Sequence, residues 1–282
     1  MRRILTLLSL VFLVAGCAPG QYKVPVDEYR QQVKTLGVLP LLVDDRSTIL
    51  HPDRDAVLEL LARHSAGKDQ WLVEALREQK AYFDIREVPG DPQTLFRQLV
   101  TGSSVQGEGG DRYRRYTFDG AAAAELARRS SVDGLLVVIL NGIVRNEKLW
   151  DRDRASLNYL QSDHNVVVAS AAVVRPSGEV VWDNGGQGGA VLLNLQYPDF
   201  DEAYYQLSDQ VRLRFVVLAG LDRVLSRRDS GIFLKSSLSQ RYKELFDSLT
   251  SALTPGLPSL FRTDPGSGAP QGTDGKSGSG AK

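Results

Sequence analysis

The chain has 282 residues, with 34 basic and 34 acidic side chains, 42% hydrophobic residues and one cysteine. A balanced charge gives no electrostatic footprint for nucleic acid, which excludes that class of partner. A lone cysteine excludes an internal disulfide, so the fold must rest on core packing.

The first element is a leader. Met1-Arg2-Arg3 is cationic, and residues 4–15 are apolar except Thr6 and Ser9. A membrane-spanning helix needs about 20 apolar residues, so this shorter run followed by small residues reads as a secretory signal over 1–16. Val14-Ala15-Gly16-Cys17 resembles the lipobox of bacterial lipoproteins. The resemblance implies cleavage before Cys17, a diacylglycerol on its sulfur and a further chain such as palmitate on the freed amine. It thus implies a lipid bilayer as the first partner. Ala18 in place of Asp implies the periplasmic face of the outer membrane more than the inner membrane. Loss of Arg2 and Arg3 leaves 32 basic residues against 34 acidic ones.

Residues 17–32 carry Pro19, Gly20 and Pro25 without apolar periodicity and read as a lipidated tether, with a reach of roughly 50 Å if extended. Thr35 to Val43 is a continuous apolar run, as expected of a strand buried on both faces. Its Pro40 belongs at an edge or near a strand end. A helical pattern follows from Asp53 to Leu76, broken near Gly67. Phe83 to Val88 alternates like a strand, and Asp91 opens a short amphipathic helix through Leu95, Phe96 and Leu99. Residues 101–118 read as a surface excursion. Asp119 is placed to cap a helix of good formers over Ala121–Ala127. Leu135 to Leu140 is the expected central strand. Val166–Val174 and Glu179–Asp183 flank Pro176-Ser177-Gly178 as a hairpin.

Apolar residues then recur every three or four positions from Phe200 to Leu225, the mark of one long helix. A second helix spans 237–252, with Ser237 and Gln240 at capping-box spacing. Residues 263–282 have nothing to bury and read as a disordered tail. The expected domains are therefore 33–190, an α/β unit, and 191–262, a helical region packed on it. The fold class is α/β: a mixed sheet with flanking helices plus a C-terminal helix pair.

Four phrases, Leu36–Leu41, Ala81–Ile85, Ala127–Val137 and Val173–Trp182, resemble a group of envelope lipoprotein domains. The group comprises the curli-secretion channel lipoprotein, the lipoprotein activators of penicillin-binding proteins, and the N-terminal region of the Tol-system protein TolB. The likeness spans residues 35–183 and implies a fold, not an activity. A pore would need long two-sided hairpins of alternating residues. No such pair of segments is evident, so a soluble anchored domain is expected.

Candidate chemistry is sparse. His51, Asp53 and Asp55, near Asp44 and Asp45, offer carboxylate and imidazole ligands, but read more simply as a polar loop with Asp53 as helix cap. His64 and His164 have no partner set by spacing. No Gly-x-Ser-x-Gly occurs, and no serine has an evident base. The run Asp183–Gly189 lacks the Lys-Ser/Thr ending of a phosphate loop and reads as a turn or bulge. No metal and no cofactor are therefore expected. Arg112-Tyr113-Arg114-Arg115-Tyr116 interleaves cations and aromatics as a partner-binding loop would. Trp150 and the stretch 150–160, with Asp151-Arg152-Asp153-Arg154, are further candidates, as is the outer face of the C-terminal helix pair. The reading is a non-enzymatic anchored lipoprotein that binds another envelope protein in assembly or transport. The alternative is a periplasmic small-molecule or glycan-binding lipoprotein. A hydrolase ranks third.

Overall fold

The computed structural model describes residues 22–151, 159–185, 191–206, 210–228 and 238–254. Its centre is a mixed seven-stranded sheet. The apolar run 35–43 forms β1 (Thr35–Val38) and β2 (Leu42–Val43), and Pro40 sits in the break between them, where no ladder donor is needed. The strand β3 (Asp84–Glu87) and the long β6 (Gly134–Trp150) lie parallel to β1 on either side. Next come β7 (Tyr159–Val174), β8 (Val180–Asp183) and β9 (Val191–Asn194), all antiparallel. The order is β3-β1-β6-β7-β8, with β2 continuing along β6 and β9 along β7.

Two-sided burial of β6 explains its unbroken apolar run. Leu136, Val138 and Leu140 face a core shared with the helices α2 (Arg54–Ser65), α3 (Asp69–Gln79), α7 (Leu218–Ser226) and α8 (Gln240–Leu253). Leu135, Val137 and Ile139 face a second core under α4 (Pro92–Leu99) and α5 (Gly120–Ser130). Asp91 and Asp119 cap those two helices, accepting from Thr94 N and Ala122 N at 2.8 Å each. Asp53 precedes α2, but its side chain makes no capping bond. Ser237 lies outside the described residues.

The structure departs from the sequence expectations at several places. Residues 26–32 are not a tether, because they form α1 (Val26–Gln32), which packs on the domain through Tyr29, whose hydroxyl meets that of Tyr82 at 2.7 Å. Tyr22 forms a bridge to Trp182 on β8, and Lys23 N donates to Val181 O. A single buried ring, Tyr29, anchors this segment without a visible apolar period. Residues 101–118 are not a loose excursion but a hairpin, β4 (Val100–Gln106) with β5 (Tyr113–Phe118).

The long helix over 200–225 divides into α6 (Phe200–Tyr205), the strand β11 (Arg212–Phe215) and α7, with β11 paired to β10 (Gln196–Asp199). Its apparent apolar face was not all core: Tyr204 and Phe215 are exposed. For the same reason 191–262 is not purely helical, and β9 belongs to the main sheet. Finally, a long hairpin does exist, formed by β6 and β7.

Candidate functional site

The last seven cross-strand pairs of that hairpin, Val144↔Asn165 to Trp150↔Tyr159, extend beyond the core sheet as a ribbon, some 20 Å long at strand rise. Asn165 marks where the core ends. Its amide oxygen accepts from Leu50 N, its amide nitrogen donates to Thr48 O, and its backbone N–H donates to Gln196 Oε1. The same loop crosses Gly142, where a Cβ would lie 2.4 Å from Thr48 O; only glycine permits that approach.

One ribbon face exposes Lys148, Trp150, Tyr159, Gln161 and Asp163. Trp150 and Tyr159 are 48% and 50% exposed, with ring centroids 5.2 Å apart. The Lys148 ammonium lies 4.5 Å from the Trp150 centroid and 3.7 Å from that of Tyr159, so the cation rests on both rings. The stretch 150–160 singled out in the sequence contains Trp150 and Tyr159 but not Lys148, which joins them from β6. Counting alternate positions along β6 from Leu136 would have placed Lys148 and Trp150 on one face.

The opposite face explains an otherwise odd polar stripe. The hairpin β4–β5 stands edge-on against it, and the edge carbonyls of β5 need donors. Arg145 Nε donates to Arg112 O at 2.6 Å, and Ser170 Oγ to Arg114 O at 2.7 Å while accepting from Asn141 Nδ2 at 3.0 Å. Removing the hydroxyl strands a buried carbonyl. Ser170→Ala should therefore cost about 1–3 kcal/mol in chemical denaturation, whereas Thr101→Ala, on an exposed hydroxyl, should cost little.

The structure does not gather 112–116 into one binding loop. Tyr116 is buried, and its hydroxyl donates to Asp44 Oδ2 at 2.8 Å, so it is a packing residue. The carbonyls of Arg112 and Arg114 serve the sheet. Arg115 is exposed, pairs with Asp183 at 3.3 Å and bonds the Tyr113 hydroxyl. Tyr113 lies on the Gly185 backbone, where a Cβ would come within 2.3 Å of the ring. The 112–116 segment is thus largely committed to the fold, and Trp150 stands apart from it at the ribbon tip. Cys17, residues 152–158 and residues 186–190 lie outside the described residues.

The histidines do have partners. His51 Nε2 donates to Val216 O and Nδ1 accepts from Asp53 N, which uses both ring nitrogens. Asp44 is filled by Tyr116 and Arg46 N. Among the described residues no group of three or more His, Cys, Asp or Glu could hold a metal. His64 meets Asp222 at 2.8 Å, which ties α7, one half of the helix pair, to α2.

The ribbon also supplies a serine with a base, a pairing the sequence did not reveal: Ser162 Oγ lies 3.0 Å from His164 Nε2. His164 is buried, however, and its Nδ1 has no partner. An orphaned buried N–H is disfavoured more than a bare acceptor. The proton therefore sits on Nε2 and is donated to Ser162, the reverse of nucleophile activation.

Burial holds the His164 pKa below its ordinary value, against a smaller opposing pull from Asp163. Arg145 and Ser162 face the ring, and burial lowers the Arg145 pKa too. The folded state thus resists a proton that the unfolded chain accepts near pH 6.5. Stability should be full above that pH and fall as pH drops below it, until the folded form also protonates. Thermal midpoints should decline by a few degrees between about pH 6.5 and 5, and His164→Gln should flatten the decline. An unchanged slope would reject this assignment.

Between β5 and the edge formed by β7 and β8 lies a cavity of about 20 Å³ lined by Val137, Ile139, Ala172 and Tyr113. That is room for about one water. No family model matches the chain, and no curated protein matches it. Among solved structures it is similar to a neuraminyllactose-binding hemagglutinin homolog from Helicobacter pylori, with 9% identity and a TM-score of 0.36 over 79% of this chain and 87% of that one. It is also similar to the hypothetical protein CT253 from Chlamydia trachomatis, with 9% identity and a TM-score of 0.26 over 78% and 98%. Neither is one of the lipoprotein groups named above.

Proposed function

We propose that the chain is a non-enzymatic lipoprotein, anchored through acylated Cys17 at the periplasmic face of the outer membrane, that presents the β6–β7 ribbon to another envelope protein. The observation that carries this reading is the exposed Trp150–Lys148–Tyr159 cluster at the ribbon tip. Trp and Tyr dominate interface hot spots because they offer large apolar area at small entropic cost. No described helix is long and apolar enough to cross a membrane.

Tyr22 is already fixed to β8, which leaves five residue steps from Cys17 and a reach of about 17 Å. Trp182, which Tyr22 bridges, pairs with Val173. Tyr159 lies fourteen positions from Val173 along β7, about 46 Å at strand rise. The tip is thus beyond the reach of the tether and free to meet a partner that the anchor does not touch. Cys17→Ser should leave an unlipidated precursor that is lost from the outer membrane, since anchoring there depends on the added chains; equal attachment to the outer membrane would contradict the anchor.

The ribbon reading is tested with Tyr159→Cys and Phe83→Cys. Phe83 is 90% exposed and far in sequence from the ribbon. Maleimide should label position 159 several-fold more slowly in intact envelopes than in purified protein, and position 83 equally in both. Equal rates at 159 would overturn the proposal.

A further inference from the structure

Among the described residues, the outward edge of β7 carries no partner strand along the ribbon. Ala171 and Asn165 direct their backbone groups away from β6, toward Asn184, Leu195 and Gln196. Strand alternation therefore directs Asp163, Gln161 and Tyr159 outward as well. Among the described residues no strand pairs with β7 beyond Asn165: β9 ends at Asn194, Leu195 N bonds Asn165 O, and β10 touches β7 beside Asn165 but takes its ladder partner from β11. Three successive outward residues thus offer N–H and C=O groups in strand geometry. An edge of that kind invites another strand.

We propose that this edge pairs antiparallel with the same edge of a second copy of the chain, about a two-fold axis at Gln161. The side chains fit that symmetry. Gln161, whose Nε2 donates to Asn146 Oδ1 at 3.0 Å in its own chain, keeps a second amide hydrogen and its Oε1 for its counterpart. Tyr159 lies opposite Asp163 of the second copy, and on the other face Leu160 lies opposite Ser162. No like charges meet.

The Lys148 ammonium adds the complementary charge. It is drawn onto the Tyr159 ring, 3.7 Å from its centroid, which brings it about one strand spacing, some 5 Å, from the incoming Asp163 carboxylate. The outer edge of β6 lacks this property: a pair centred on Lys148 would set two ammonium groups face to face.

A five-residue edge buries less than the roughly 1,200 Å² of a standard interface. Pairing is therefore weak in free solution and favoured when copies share a surface, where effective concentration is high. The pairing rests on the ribbon, not on the lipid.

The test introduces Gln161→Cys into the full-length chain in its own envelope and, separately, into the Cys17→Ser form purified at high concentration. Residues facing each other in a hydrogen-bonded pair have Cα atoms about 5.5 Å apart, within disulfide range. A cross-linked dimer should form at position 161 and not with Asn146→Cys on the other edge. Asp163→Lys should abolish it, and adding Lys148→Asp should restore it. No dimer at 161, or equal dimer at 146, would overturn the proposal. A bare Cys17 with the dimer intact would sink the anchor alone, whereas an acylated Cys17 without the dimer would sink the pairing alone.

Discussion

Trp182→Ala should lower the free energy of unfolding by about 3–5 kcal/mol, among the largest effects of any single truncation. Trp182 is fully buried on β8, in the core that also holds Tyr29, Tyr242 and Phe246. Its deletion leaves a cavity that the surrounding strands cannot close, because they are held by their ladders. The effect should spread to the N-terminal segment. Tyr22 bridges Trp182, Lys23 N bonds Val181 O, and the Lys23 ammonium meets Asp183 at 3.0 Å. Urea titration measures the first effect and hydrogen exchange at Lys23 the second. Trp182→Phe should cost clearly less than Trp182→Ala. A loss under about 1 kcal/mol for Trp182→Ala would mean the ring is not packed as described.

The second large effect is on binding and spares the fold. Trp150 and Tyr159 are each about half exposed and contact one another and Lys148. Replacing both with Ala should change stability by less than about 1 kcal/mol, the usual range at the surface. If they anchor a partner, each removes a hot spot of at least about 2 kcal/mol, roughly a thirty-fold loss of affinity. Near-normal unfolding together with lost protection in the envelope is the expected pair of results. Unfolding of the double variant would instead make the rings part of the core.

The contrast between these positions shows what the sequence exposed. Burial on both faces writes a continuous apolar run, so β1–β2 and Leu135–Leu140 were legible, as were the caps at Asp91 and Asp119 and the turn at Pro176-Ser177-Gly178. The ribbon was not. Asn141, Arg145, Asn146 and Glu147 end the apolar run in β6, and the reason lies in another part of the chain: Arg145 serves the Arg112 carbonyl, and Asn141 serves Ser170, which in turn serves the Arg114 carbonyl.

A polar strand residue whose partner is a distant backbone group has no local signature. The segment from Phe200 to Leu225 failed for the opposite reason. A spacing of three and four can arise where short helix and strand alternate, and exposed Tyr204 and Phe215 counted as core only until their surroundings were known. Neither ribbon face is apolar: one carries Lys148, Gln161 and Asp163, and the other Arg145, Glu147 and His164. The hairpin therefore does not meet the requirement of a lipid-facing barrel wall.

Partner binding by the ribbon tip is tested most directly by placing a photo-crosslinking residue at position 150 of the otherwise native chain and irradiating intact envelopes. A discrete adduct with one partner protein is expected, absent when the probe stands at Phe83 and strongly reduced by Tyr159→Ala. No adduct from position 150, or the same products from both positions, would contradict it.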